Sequence, residues 1–525
     1  MITKVLVKKS TYRDSISLMK ISNTIAKLPG VTQAAVVMAT ELNRRVLSEA
    51  GFADAAIGRA ASDDMIVAIQ AKDAASLDAA LAETESLLAP HKKAPGERAP
   101  PTSLEEALQL VPDANLAVIS VPGQFAKREA MRALGRGLNV FLFSSNVTQE
   151  DELELKNTAK KKGLLVMGPD CGTSIINHKV LGFGNTIREG SIGLVSASGT
   201  GLQEVTTLIH KARLGITQAI GAGGGDLSEE VGGITMIQGI GLLEADEKTR
   251  VLVLISKPPA PGPMEKVLEA ARRCSKPVVV NFLGGNLSSS MLGNLRAANT
   301  LEDAAGAACE LGGLKPQAAA RVIPAETVSI ALAEHKELAA GQQYIRGLFA
   351  GGTLCYESQI ILQPLFGEVY SNAPIKPENM VPGDAPSKKH ACIDMGAEEF
   401  VEGRAHPMMD FSLRNMRILQ EARDPETAVI LIDVELGYGS NPDPAGQLIP
   451  VIQKAKALAE EAGRHLSVVA SVVGTEGDYQ GLASQEKALS DAGVLLMPSN
   501  AQATRVSALV ASGENFQTGI LGRSG

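Results

Sequence analysis

Gly193-Leu194-Val195-Ser196-Ala197-Ser198-Gly199-Thr200, with Glu204 four residues on, and Gly347-Leu348-Phe349-Ala350-Gly351-Gly352-Thr353, with Glu357 four residues on, are two copies of one pattern. In each, an apolar run ends in small residues and a hydroxyl, and a helical stretch follows, so each reads as strand, tight turn and helix. Each copy later reaches an acidic helix end before another apolar strand. These ends are Leu242-Leu243-Glu244-Ala245-Asp246 before Val251, and Leu419-Gln420-Glu421-Ala422-Arg423-Asp424 before Val429. A repeat on this scale predicts two similar α/β domains in one chain.

Outward from the repeat, short apolar runs alternate with helical patterns. Ala35-Val36-Val37-Met38, Leu116-Ala117-Val118-Ile119-Ser120-Val121, Val140-Phe141-Leu142-Phe143 and Leu252-Val253-Leu254-Ile255 are continuous rather than alternating. Such strands are buried on both faces, which predicts parallel, helix-covered sheets and an α/β fold. Breaks are expected at the Pro-rich excursion 89–103, near Gly184 to Gly190, and along an Ala-rich stretch from Leu314 to Gly341.

Composition narrows the function. The 525 residues are 45% hydrophobic and 21% charged, an ordinary globular balance that excludes a disordered or fibrous chain. No apolar window approaches the ~18 residues of a membrane span, and Met1 to Lys9 reads as a strand rather than a leader. A net charge of −8, 3% aromatics and no Trp argue against a nucleic-acid partner. Five scattered cysteines without a C-x-x-C pair fit a reducing cytoplasm and neither a disulfide framework nor zinc.

The glycine turns carry the candidate chemistry. Backbone N–H groups at a helix N-terminus suit a phosphate or carboxylate, and hydroxyls add donors. Ser198, Gly199 and Thr200 in one copy and Gly351, Gly352 and Thr353 in the other are the candidate phosphate or substrate contacts. Each turn alone reads equally well as a capped strand-to-helix corner; two copies favour two helix ends aimed at one anion. Gly221 to Ser228 reads as a loop whose Asp226 or Ser228 caps a helix or serves a site. Cys171, in the turn Gly168-Pro169-Asp170-Cys171-Gly172-Thr173, lacks a basic neighbour that would make it a nucleophile. Arg404 and His406, in a loop entering a helix, are the candidate catalytic pair, with a surface-loop role as the alternative. No histidine pair has metal-ligand spacing, so no metal is expected.

Val195-Ser196-Ala197-Ser198-Gly199-Thr200-Gly201-Leu202-Gln203-Glu204 resembles the phosphate-helix segment of the succinyl-CoA synthetase alpha subunit. Gly168-Pro169-Asp170-Cys171-Gly172 resembles its Gly-Pro-Asn-Cys-Pro-Gly turn, and Val121-Pro122-Gly123-Gln124-Phe125-Ala126 a corner of its CoA-binding domain. Ser10 to Met19, the Gly168 turn and Tyr344 to Thr353 resemble the FdrA family, the acyl-CoA-synthetase-like branch, over essentially the whole chain. This resemblance implies a Rossmann-like CoA-binding-type domain at 1–186 and a first flavodoxin-like ligase-type domain at 187–315. A connector at 316–341 and a second ligase-type domain at 342–525 complete it.

The sequence also departs from that pattern. No histidine lies between His210 and His335, and Gly284-Gly285-Asn286-Leu287-Ser288-Ser289-Ser290 stands where the resemblance implies a phosphohistidine segment. Lys9-Ser10-Thr11-Tyr12 lacks the glycines that cradle CoA phosphates, and no ATP-grasp segment is present. These losses argue against CoA ligation by this chain alone. The resemblance to FdrA instead implies a carbamoyl- or acyl-transferring subunit of oxamate carbamoyltransferase type, turning oxalurate and phosphate into oxamate and carbamoyl phosphate. Phosphate or an acyl phosphate is then the substrate, with partner subunits or further copies of the chain. The alternatives are an acyl-CoA synthetase with its ATP-grasp part on another chain, and a non-catalytic metabolite-binding scaffold.

Overall fold

The computed structural model describes residues 1–89, 100–285, 293–314 and 323–516. It divides into two compact units, one of residues 1–100 with 396–413 and the other of 101–395 with 414–525.

In the first unit, β1 (Ile2–Lys8), β2 (Val31–Met38) and β3 (Met65–Ala71) form an antiparallel sheet in the order β1-β3-β2. Helices α1 (Ser15–Ala26), α2 (Glu41–Glu49), α3 (Ala55–Arg59) and α4 (Ala74–Leu88) flank it. Asp14, Thr40, Asp54 and Asp73 begin these helices, each accepting a first-turn N–H. Met65, Val67 and Ile69 pack with α1 and α4, while Ile66 and Ala68 pack with α2 and α3. Here lies the first correction to the sequence reading: the expected Rossmann-like domain at 1–186 begins with an antiparallel unit of its own. A continuous apolar run reports burial of both faces, and the helices supply that burial whichever way the strands run.

The second unit opens with α5 (Leu104–Leu110), β4 (Leu116–Ile119), α6 (Gly123–Gly135), β5 (Asn139–Leu142), α7 (Gln149–Lys161) and β6 (Val166–Met167). The strands β4, β5 and β6 make a short parallel sheet. The hairpin β7 (Thr173–Ile176) and β8 (Lys179–Gly182) then leaves it and pairs with the next sheet. The break expected near Gly184 to Gly190 therefore falls between two strands of one sheet.

That next domain runs β9 (Glu189–Ser196), α8 (Gly199–Lys211), β10 (Ile216–Gly221), α9 (Ile234–Ala245), β11 (Val251–Ser256), α10 (Pro261–Arg272), β12 (Val278–Phe282), β13 (Leu295–Ala297) and α11 (Leu301–Leu311). After α12 (Ala325–Glu337) come β14 (Tyr344–Phe349), α13 (Gly352–Phe366) and β15 (Ala391–Asp394), and then α14 (Glu398–Val401), which belongs to the first unit. The chain then continues through α15 (Ser412–Arg423), β16 (Thr427–Glu435), α16 (Pro444–Glu461), β17 (Ser467–Val473), α17 (Leu482–Asp491), β18 (Leu495–Met497) and α18 (Asn500–Ser512).

The two sheets run β13-β12-β11-β9-β10-β7-β8 and β15-β14-β16-β17-β18. Counting from each copy's first strand, both have the flavodoxin-like order 2-1-3-4-5, and all these core strands are parallel. The repeat in sequence is a repeat in topology. One apolar cluster joins the domains, with Leu202 and Val205 of α8, Leu354 of α13, and Val506 and Leu509 of α18 all buried. Ala331 of α12, inside the expected connector, packs in the same cluster. No described helix is long and apolar enough to cross a membrane.

Candidate functional site

In a sheet of this order, the first and third strands separate the two directions of winding, and the crevice beyond their carboxyl ends receives ligands. In both domains that crevice is where the repeated Gly-Thr turn begins its helix. After β9, Ser198 N donates to Ser196 Oγ at 3.0 Å, and Gly201 N donates to Ser198 Oγ at 3.0 Å. These bonds fold the corner and place the amides of Gly199 and Thr200 first in α8, where helix geometry offers them no acceptor.

The second turn is built differently. Ala350 N and Gly351 N donate to the two carboxylate oxygens of Asp433 at 2.8 and 2.7 Å. Arg414 Nη1 donates to Asp433 Oδ1 at 3.0 Å. Glu435 follows on the same strand; burial and the neighbouring Asp433 raise its carboxyl well above the usual range. Asp394, at the end of β15, lies so near Gly352 that a Cβ there would come within 2.4 Å of its Oδ2. The donors of Ala350 and Gly351 are thus occupied, and carboxylates crowd this end. What it presents to the first turn is the Thr353 hydroxyl.

The two turns meet. Ser198 Oγ and Thr353 Oγ1 lie 2.6 Å apart. A Cβ on Gly201 would sit 3.1 Å from Thr353 Cγ2, and one on Gly351 would sit 2.9 Å from Thr200 Cγ2. Glycine at these two places lets the helix starts approach one another.

One turn deeper, the repeated glutamates cross between domains. Asn500 N, first in α18, donates to Glu204 Oε1 at 3.0 Å. Leu301 N, first in α11, donates to Glu357 Oε1 at 2.7 Å, and Asn500 Nδ2 donates to Glu357 Oε2 at 2.7 Å. Each carboxyl therefore caps the last helix of the other domain. Burial, partly offset by these bonds, pushes Glu204 up to about 7 and Glu357 up to about 8. The sequence marks both glutamates by their repeated spacing, yet spacing alone does not tell which helix they reach.

Arg404 and His406 belong to the first unit, whereas Ser198 and Thr353 belong to the second. Arg404 is no exposed loop residue: its side chain is 9% accessible and reaches Asn43 Oδ1 at 2.8 Å, Asp410 Oδ2 at 3.2 Å and Ser412 Oγ at 2.5 Å. His406 Nδ1 accepts from Met408 N at 3.3 Å. Asp226 takes the capping option left open for it, accepting from Thr235 N and Met236 N at the start of α9 while pairing with Lys156. Cys171 is buried, which pushes its thiol up to about 11, far from a reactive thiolate. Of the stretch Gly284 to Ser290, Asn286 onward lies outside the described residues.

Three family models match. The CoA-binding domain model covers residues 187–284 and the CoA-ligase model residues 348–510. The two Gly-Thr turns thus lie one in each, and the CoA-binding match falls one domain later than the 1–186 expected. The third, described as the AllF heavy metal-associated domain, covers residues 1–102. Those residues contain no cysteine, and no described group of three or more His, Cys, Asp or Glu is placed to hold an ion. Among the described residues of this range, then, no set of thiolate and imidazole ligands suited to a soft metal is assembled.

Fold and family models together show an α/β protein in which a CoA-binding-type and a CoA-ligase-type domain are joined in one chain. More closely, the chain belongs to the family of the uncharacterized protein YahF of Escherichia coli, 45% identical over 502 residues, 95% of this chain and 97% of that one. It is also similar to the succinate–CoA ligase [ADP-forming] subunit alpha 2 of Archaeoglobus fulgidus, 32% identical over 34% of this chain and 61% of that protein. The ADP-forming sulfoacetate-CoA ligase subunit SauD of Bilophila wadsworthia is 29% identical over 33% of this chain and 60% of its own length.

Proposed function

We propose that this chain is the acyl-transferring part of an acyl-CoA-synthetase-type enzyme and binds phosphate, or the phosphoryl end of an acyl phosphate, where its two ligase-type domains meet. The observation that carries the reading is the 2.6 Å approach of Ser198 and Thr353 across two helix N-termini. Gly199 and Thr200 supply amide donors there; of the Ser198 and Thr353 hydroxyls one donates to the other, and the second leaves its proton for the anion. The Gly351-Gly352 side, already engaged by Asp433 and faced by Asp394, shapes the seat rather than filling it with a second anion. Arg404 and His406 lie in the first unit and take no part in this reading.

The relatives named as CoA ligase subunits support thioester chemistry, with CoA as co-substrate and a partner chain to activate the acid with nucleotide. One sequence fact favours a second reading, transfer of the carbamoyl group of a ureide such as oxalurate to phosphate with oxamate as the leaving group. Residues 211–334 contain no histidine to relay a phosphoryl group, and direct transfer needs none. Both readings use one oxyanion seat.

The test pairs two assays on the full chain with and without candidate partner subunits. One measures CoA- and ATP-dependent thioester formation; the other measures phosphate-dependent release of carbamoyl phosphate. Thioester formation lost in Ser198→Ala supports the ligase reading. Carbamoyl phosphate release lost in the same variant supports the transferase. If neither activity responds to Ser198→Ala, the seat is not the reaction centre.

A further inference from the structure

Thr173 opens β7 directly after the Gly168 to Gly172 turn, and it is 2% exposed. Its methyl group faces Gly184, where a Cβ would lie 3.5 Å from Thr173 Cγ2. Its hydroxyl faces the start of α8: a Cβ on Gly199 would lie 3.5 Å from Thr173 Oγ1. That hydroxyl has no hydrogen-bond partner. Its neighbours are satisfied, since Ser174 Oγ accepts from Gly221 N at 2.9 Å and Ser198 Oγ meets Thr353.

A buried hydroxyl without a partner is a cost to the fold, and valine would fill the same volume without it. The hydroxyl instead stands beside Gly199, the first residue of α8, whose amide helix geometry leaves without an acceptor. We infer that Thr173 is a further hydroxyl donor of the oxyanion seat, hydrogen-bonding a phosphate or phosphoryl oxygen held on Gly199 and Thr200. The inference rests on the proposed seat at Ser198 and adds to it a residue from outside the repeated turns. Hydroxyl donors aimed with two amides converge on a tetrahedral oxyanion without a full positive charge, which suits a group that must later leave.

The experiment is calorimetric titration of the full chain with inorganic phosphate, with thermal melts of the same samples. Thr173→Val should weaken phosphate binding at least tenfold, while its melting temperature without phosphate stays at or above wild type. Thr173→Ser keeps the hydroxyl and should bind within about threefold of wild type. If valine crowds the turn and the variant does not fold, Thr173→Ala, checked by circular dichroism, should show the same tenfold loss. Phosphate binding weakened by Ser198→Ala but unchanged in Thr173→Val overturns the role of Thr173 and leaves the seat standing. A phosphate-free melting temperature several degrees below wild type in Thr173→Val also overturns it, because the hydroxyl would then serve the fold. A wild-type chain that binds no phosphate removes the seat and the inference together.

Discussion

Glu357→Gln isolates the buried carboxyl that reaches from α13 to α11. Burial, opposed by bonds from Asn500 and Leu301 and reinforced by Glu204 and Glu302, lifts Glu357 from 4.5 to about 8. A carboxyl raised in the folded state favours the neutral form. Its contribution to stability is intact below about pH 4.5, the unfolded value, and is lost as pH climbs through about 8. At ~1.4 kcal/mol per pH unit, complete ionisation of Glu357 costs the fold up to about 5 kcal/mol, and that of Glu204, lifted to about 7, about 3 kcal/mol. The two repel one another, so these costs do not simply add. Glutamine mimics the neutral acid and cannot ionise. Asn500 Oδ1, which has no partner, can accept from the new amide once the Asn500 side chain turns over. Thermal melts of the full chain at pH 4.5, 6, 7 and 9 should show the variant nearest wild type at pH 4.5 and increasingly above it as pH rises, the gap levelling off above about pH 8. Glu435 is the same in both proteins and drops out of the difference. Parallel melting curves across the whole range would refute the assignment of the alkaline loss to Glu357.

Three further outcomes are expected. Because residues 211–334 contain no histidine, incubation with radiolabelled ATP should leave no acid-labile phosphohistidine on this chain; stoichiometric labelling of any histidine, located by mass spectrometry of the peptides, would overturn the transferase reading. Gly199→Ala, with its nearest neighbour 3.5 Å from the new Cβ, should fold normally and weaken phosphate binding at least tenfold; Gly352→Ala, driven to 2.4 Å from Asp394 Oδ2, should lower the melting temperature. Calorimetry and melts on the pair separate the two effects. Arg404→Ala, which leaves the buried Asn43 Oδ1 without its donor and removes the ion pair to the partly exposed Asp410, should destabilise the first unit by roughly 1–3 kcal/mol, read by urea unfolding, rather than leave stability unchanged as a surface loop residue would.

The repeated turns and the strand order they head are legible in the sequence because both depend on local pattern: an apolar run, small residues and a hydroxyl before a helix. The meeting of Ser198 with Thr353 follows from that repeat once the helices pack. What separates the two turns is not legible. Asp433 arrives from a strand 82 residues beyond Gly351, and nothing in the sequence around it announces that it occupies the Gly351 amide. The unpartnered hydroxyl of Thr173 is equally hidden, since a sequence does not record which buried donors lack acceptors. The antiparallel first unit escapes a pattern-based reading because β3 is apolar on both faces, as a parallel strand would be. Arg404 looks like a surface residue for a related reason: the Asn43 that holds it is 361 residues away in the chain.

The crossed caps of Glu204 on α18 and Glu357 on α11 also bear on why the two halves share one polypeptide. Neither half can complete its own last helix, because the carboxyl that receives the first N–H belongs to the other. Two separate chains built this way would depend on their abundance in the cell to find each other. Joining them holds each at an effective concentration in roughly the millimolar range from the other and fixes their ratio at one to one. The fusion therefore replaces an association equilibrium with a folding step.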